Sequence, residues 1–509
     1  PLNQRACVMS LTSVSPVSTR PARVLGPQSA ARQAAPHATP QVAPHVAQAQ
    51  FGAGNRRWWM GLMPPAVLAG ALAVSGLDTF GPTTAVAQEK PAEQPVYNYV
   101  VEQWRRAAED YGKKHEIDMS GKGSKIAFIS YSSRSLRQTD VKYTSHAVIQ
   151  HAMMVGETGL LPKAQVGDFP FRDYNNKDMW FAGDDGTGKL VMYKGGFPVP
   201  WKDDADFVKL LMTNMLTVPV ITITKHLNDI ADEGKGKYQA VHLALATSKY
   251  KTLDWTYGLL ERYSNQLGNI RQLVYNPDDD RVGRKLALTN NPADRIEKMK
   301  RLRIYFEKQV SLDPSKGDLK TVLDNYRKAV KRVSDEADAV FVNSFGNEQD
   351  ELDAHKAAGF VHDDFIDLFT LTGSDLKDSV IHVAASDTKG TVFKFEDDGI
   401  STESTPGTAE VLPTIAAPGH QIIVTVPSEK KDGKSVVKLS SGTSPAVALT
   451  VGAVTMARVA SGNKLSAKET VQLMRSTAYV HSGLTSRQMG SGLLDLEKLL
   501  TEAGKKRSR

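Results

Sequence analysis

Short apolar runs alternate with longer amphipathic stretches through the central and C-terminal parts of this chain. Lys125-Ile126-Ala127-Phe128-Ile129-Ser130-Tyr131-Ser132-Ser133 is an apolar run that ends in small polar residues. That is the pattern of a buried parallel strand delivering a residue at its carboxyl end. Val241–Ala246, Ala339–Glu348 and Val380–Asp387 read as further strands, the second of them ending in Gly346-Asn347-Glu348. Between the runs the period changes. Val100, Val101, Trp104, Ala107 and Ala108 fall at helical spacing, Asp206 to Asp232 gives a helical pattern, and Leu319 to Ala337 reads as an amphipathic helix. Strands alternating with helices predict a three-layer α/β domain with a mostly parallel sheet and helices on both faces.

The stretch from Ser440 to Ala453 stands apart. It opens with small residues, Ser440-Ser441-Gly442-Thr443-Ser444, and then stays apolar and small-residue-rich for about three helical turns. Pro445 suits the first position of a helix, where its missing N–H is no loss. Ser444 is therefore expected at a helix N-terminus, presented by a glycine-led turn, where developing negative charge is favoured. An ordinary capping serine before a buried helix has the same local pattern.

Residues 1–55 lack either period and are dominated by Ala, Pro, Gln, Val and Ser, a low-complexity leader expected to be disordered. Residues 56–87 hold Arg56-Arg57, an apolar run to Leu77 and Ala85-Val86-Ala87. This is the order of an export signal with a small-x-small cleavage site, and the paired arginines fit twin-arginine export. An uncleaved membrane anchor is the alternative, against which Pro64-Pro65 interrupts the run. The expected location is therefore periplasmic or extracellular. Residues 88–123 read as linker and short helix, and 501–509 as a basic tail. The single cysteine is Cys7, so a chain starting near Gln88 has no thiol nucleophile, disulfide or cysteine-ligated metal. The net charge of +7 is spread along the chain, which reads as solvated surface and not as a nucleic-acid interface.

Gly442-Thr443-Ser444-x-Ala446, with Gly452 following, resembles the nucleophile motif of subtilisin-like serine proteases. Ile415-Ala416-Ala417-Pro418-Gly419 and Ile423-Val424-Thr425-Val426-Pro427 resemble that family's approach to the serine. Leu465-Ser466-x-x-Glu469, Ser476-Thr477-Ala478 and Gly490-Ser491-Gly492-Leu493-Leu494-Asp495 resemble its closing segments. Ser145-His146-Ala147-Val148-Ile149-Gln150-His151 resembles the histidine segment, and Gly159-Leu160-Leu161-Pro162 the lead into the next strand. Gly346-Asn347-Glu348 resembles the segment that carries the family's oxyanion asparagine. The resemblance covers residues 124–500, with insertions at about 167–205 and 249–315.

The resemblance implies peptide-bond hydrolysis of a protein or peptide substrate. Ser444 would be the nucleophile, His146 the general base, and Asn347 an oxyanion donor. It implies no cofactor. Structural calcium is not indicated, the cluster Asp203, Asp204 and Asp206 reading equally as a solvated turn. A second register leaves Tyr143 at the base position. The chain departs from the family where its acid should stand: that position is Ser130. A hydroxyl can accept the imidazole N–H bond but cannot supply the charge that stabilises the imidazolium. Asp140 lies close to His146 in sequence and is a substitute candidate. Two readings follow, an exported protease weakened at its triad and an exported pseudoprotease that binds peptides or proteins.

Overall fold

A computed structural model describes residues 99–134, 142–173, 180–184, 190–194, 197–262, 303, 317–355, 359–370, 374–388, 393–427 and 435–508. The leader, the export segment and Asp140 lie outside these. So does most of the stretch 263–316. All described residues belong to the unit Trp58–Arg509.

The chain enters the fold through α1 (Val100–His115), whose stripe of Val100, Val101, Trp104 and Ala108 is buried. It continues through β1 (Lys125–Arg134), β2 (Lys142–Tyr143), α2 (Ser145–Met154) and β3 (Gln165–Asp173). A small antiparallel sheet of β4 (Trp180–Asp184), β5 (Leu190–Lys194) and β6 (Phe197–Val199) precedes α3 (Asp204–Asp232). Next come β7 (Ala240–Leu243), α4 (Lys249–Arg262), α5 (Gly317–Asp335), β8 (Val340–Ser344), α6 (Gln349–His355), β9 (Val380–Asp387) and β10 (Gly399–Ile400). The last part holds β11 (Ile415–Pro418), the hairpin β12 (Ile422–Pro427) and β13 (Ser435–Ser440), then α7 (Thr443–Ala460), α8 (Ala467–Thr477), α9 (Ser486–Met489) and α10 (Leu496–Arg507).

Among the described residues, eight strands form one sheet. Its parallel body runs β3-β1-β7-β8-β9-β11, and β2 and β10 add short antiparallel pieces at β1 and β9. The strands read as continuous apolar runs because both faces are covered. Along β1, Ile126 and Phe128 enter the core shared with α1, α2, α7, α8 and α10, while Ala127, Ile129 and Tyr131 enter the core shared with α3, α4 and α5. In β8, Phe341 takes the second face and Val340 and Val342 the first. This is the three-layer α/β architecture expected from the alternation of strands and helices.

Local chemistry explains several helix starts. Asp203 caps α3 by accepting from the Asp206 N–H at 2.9 Å, so this acidic cluster works as a helix start. Leu465-Ser466-x-x-Glu469 is a capping box at the start of α8, with each side chain bonded to the other's backbone N–H. α7 is long and apolar enough to cross a membrane, and it is the buried central helix of one layer.

Several expectations need correction. Residues 167–173 are not part of an insertion: they complete β3, which pairs with β1 from Lys125↔Gln165 onward. The basic residues after 500 are not a tail, because α10 runs to Arg507 with Leu499, Leu500 and Ala503 buried. α4, at the start of the stretch read as an inserted helical subdomain, packs into the core through Tyr250, Leu253 and Tyr257. The α7 helix begins at Thr443 with Gly442 as its cap, so Pro445 is its third residue and not its first. β13 carries Val437 and Leu439 exposed, on a hairpin outside the main sheet, and its period gave no usable signal.

Candidate active site

The sheet has a topological switch point between β1 and β7. From β1 the chain goes outward to β3 on one side, then returns to build β7, β8, β9 and β11 on the other. In open α/β sheets the crevice outside the carboxyl ends of the strands at such a point is where ligands bind. His146, Asn347 and Ser444 all follow elements that end on this edge. The histidine follows β1 through β2, the asparagine follows β8, and the serine follows the turn that packs against the ends of β9 and β11.

The serine turn is held by backbone. The Gly442 N–H donates to the Gly419 carbonyl at 2.7 Å, and the Gly419 N–H donates to the Ser386 carbonyl at 3.0 Å. A Cβ on Gly419 would stand 2.6 Å from the Gly442 carbonyl oxygen, so a side chain is excluded there. Gly442 caps α7 with φ at +109°, a region open to glycine at no steric cost. These constraints put Ser444, half-buried, on the first turn of α7, where backbone N–H groups have no helical partners.

Asn347 is locked against that turn. Its Oδ1 accepts from the Thr443 N–H at 2.7 Å and from the Thr443 hydroxyl at 2.8 Å. A Cβ on Gly442 would meet its Nδ2 at 2.8 Å, which places the amide beside the residue two before Ser444. With Oδ1 committed to Thr443, the NH₂ group is the end left to donate elsewhere. The structure thus brings Asn347 and the Ser444 turn together from opposite ends of the second half of the fold.

His146 is the second residue of α2. Thr144 caps this helix by accepting from the Ala147 N–H at 3.3 Å, and the Thr144 N–H donates to the Tyr131 carbonyl at 3.1 Å. The half-buried His146 ring meets Tyr131 edge-on, with centroids 5.9 Å apart. Burial pushes its pKa down to about 4, and among the described residues no carboxylate offsets this. Tyr143, the other candidate for the base, lies on β2 opposite Ser132.

Ser130 is 4% exposed and sits where β1 leaves β7, whose pairing ends at Ile129↔Leu243. The strand itself does not end there, as the sequence pattern suggested: it continues to Arg134, with an irregularity in its pairing to β3 between Ser130 and Ser133. Strand alternation places Ser130 on the same face of the sheet as α2 and α7.

Sequence reading overlooked two features. His242, on β7 opposite Phe128, is 1% exposed, and its pKa falls to about 3, first through burial and then through the nearby His146 charge. Both imidazoles are therefore neutral at neutral pH. The second feature is an ion pair between Lys251 of α4 and Glu348, next to Asn347. Glu348 stands inside the Gly346-Asn347-Glu348 motif, so the motif was visible and the role was not. Among the described residues, no group of three or more His, Cys, Asp or Glu is placed to hold a metal ion.

The fold and site are those of an α/β chain with a helix-borne serine and an amide donor at the switch-point edge. No family model and no curated protein matches the sequence. Solved structures do. The subtilase cytotoxin SubAB assembly is 12% identical over 82% of this chain and 100% of that one, with a TM-score of 0.44. A lanthipeptide protease is 14% identical over 79% and 95%, with a TM-score of 0.42. Fervidolysin from Fervidobacterium pennivorans, a keratinolytic enzyme related to subtilisin, is 14% identical over 82% and 48%, with a TM-score of 0.40.

Proposed function

We propose that this chain is a subtilisin-like serine hydrolase acting on peptide bonds in a protein or peptide substrate. The observation that carries the reading is the Asn347 amide, tied by its oxygen to Thr443 with its Nδ2 beside Gly442, two residues before Ser444. In the proposed reaction the Ser444 Oγ attacks the scissile carbonyl and the His146 ring takes the serine proton. The Asn347 Nδ2–H and the Ser444 backbone N–H stabilise the oxyanion, and His146 returns the proton to the leaving amine. Donors aimed before charge develops act without reorganisation, which is why their fixed geometry matters.

His146 is the weak part of this set. A base of pKa about 4 is neutral and ready at neutral pH, but it gains little from accepting a proton. That observation favours a second reading, an exported pseudoprotease that uses the same edge to bind peptides. Incubation with a fluorophosphonate probe separates the two. Labelling of Ser444, lost in Ser444→Ala, is expected; a wild-type protein that stays unlabelled would leave the binding reading.

Export is part of the same proposal, motivated by Arg56-Arg57, the apolar run and Ala85-Val86-Ala87. N-terminal sequencing of the mature protein is expected to begin near Gln88. An intact leader in a cytoplasmic fraction would refute it.

A further inference from the structure

We propose that Lys251 and Glu348 form a positioning pair that sets the oxyanion donor Asn347, an inference that rests on the serine-hydrolase reading. Glu348 is 1% exposed. Its Oε2 accepts the Asn347 backbone N–H at 2.9 Å and the Thr405 hydroxyl at 3.0 Å, and Lys251 Nζ pairs with its other oxygen. Thr405 answers on its own side: its Oγ1 accepts the Glu348 N–H at 2.7 Å, and its N–H donates to the Gly346 carbonyl at 3.1 Å. Gly346 completes the clamp. Its φ is +129°, and a Cβ there would stand 2.6 Å from Glu348 Oε2. The three residues of the motif are thus folded around one carboxylate.

The consequence runs from charge to chemistry in contiguous steps. Lys251 holds the Glu348 carboxylate, the carboxylate holds the Asn347 main chain, and the Asn347 side chain holds the Thr443 N–H and hydroxyl directly before Ser444. A charge-assisted bond to a backbone N–H is about twice as strong as a neutral one, which suits a residue that must not tilt. Lys251 is placed for this task by its own helix: the Ser248 hydroxyl accepts the Lys251 N–H at 3.1 Å as α4 begins. It is not itself a candidate base. Burial pulls its pKa down, but the Glu348 carboxylate, with Glu351 and Asp367 adding to it, outweighs that and leaves it above the ordinary lysine value. A lysine serving as a base needs the reverse.

The pair is buried, and removing Lys251 takes from the Glu348 carboxylate the cation it is paired with. It acts through Asn347 and touches no reacting atom.

The test uses the full chain and the kinetics of fluorophosphonate labelling, which separate probe binding from the covalent step. Lys251→Met is expected to slow the covalent step at Ser444 by about 10- to 100-fold, the scale of a displaced catalytic group, with probe affinity unchanged. Adding Glu348→Gln is expected to recover part of that loss, since a neutral amide still accepts the Asn347 N–H and no charge is stranded. Val330→Ala, in the core between α5 and the sheet, gives a destabilised control that should label at the wild-type rate. If Lys251→Met does not fold, the Lys251→Met/Glu348→Gln double variant decides alone, with a covalent step about 3- to 10-fold slower than wild type expected from the neutral acceptor. Wild-type labelling kinetics in the variants, or an equal loss in Val330→Ala, would show the pair to be structural only and overturn the proposal. A wild-type protein that never labels would overturn the hydrolase reading itself, and this inference with it.

Discussion

Ser130→Asp is expected to raise turnover of an unstructured protein substrate by up to about 10⁴-fold, or about 5 kcal/mol of transition-state stabilisation. The position is buried, lies on the face of the sheet that carries α2 and α7, and falls where β1 leaves β7. His146 is the second residue of α2, which packs on that same face, and its pKa is held down to about 4 by burial. A carboxylate near the ring favours the imidazolium and therefore raises this pKa. The direction of the pH effect follows. The base works in its neutral form, so activity fails as pH falls through the pKa of His146. The acid limb of the wild-type profile should lie near pH 4, and that of Ser130→Asp at higher pH. The same substitution buries a new carboxylate, which costs stability wherever it lacks a protonated partner, so a lower melting temperature should accompany the gain. Ser444→Ala in the same background should remove all activity gained. A folded Ser130→Asp protein with no hydrolysis above that background would show a site degenerate beyond its acid, and the binding-module reading would then be preferred.

The second large effect is a loss. Asn347→Leu is expected to cut the covalent step by about 10²- to 10³-fold, roughly 3–4 kcal/mol, the scale of removing one oxyanion donor. It also strips the acceptor from the Thr443 N–H and hydroxyl, a further cost in stability of about 1–3 kcal/mol. Asn347→Asp separates the two roles. The carboxylate still accepts from Thr443, and negative charge is welcome at the start of α7. It has no donor for an oxyanion and repels one. Asn347→Asp should therefore melt close to wild type and still lose labelling by at least about 10²-fold. Wild-type labelling in that variant would remove Asn347 from the chemistry.

These two residues differ in how far they could be read in advance. Asn347 was picked out by the resemblance of Gly346-Asn347-Glu348 to a family segment, and the structure adds that the glycine before it has a positive φ. What the amide bonds to was not legible, since its partner Thr443 lies 96 residues away. Ser130 was singled out by the same resemblance, as the residue standing where the family has its acid. Its strand was expected to stop there, yet β1 continues to Arg134, because pairing with β3 and β2 carries the backbone past the point where β7 lets go. Asp203 shows the opposite case. An acidic cluster that could not be assigned from composition proved to be a helix cap, a role decided by one backbone N–H three residues on.

The sequence by itself determined the alternation of the main buried strands β1, β7, β8 and β9 with helices, the Gly442-Thr443-Ser444 turn before a buried helix and the glycine before Asn347. Each of these is written in short-range terms: a period of two or 3.6, a residue without Cβ, a side chain that caps its own helix. Only the tertiary structure decided the environment of the site. The depressed pKa of His146, the burial of His242, the clamp of Lys251 and Glu348 on Asn347 and the face on which Ser130 lies all depend on neighbours brought together by sheet order. Desolvation and charge pairing act between groups close in space and carry no period along the chain, so no local pattern announces them.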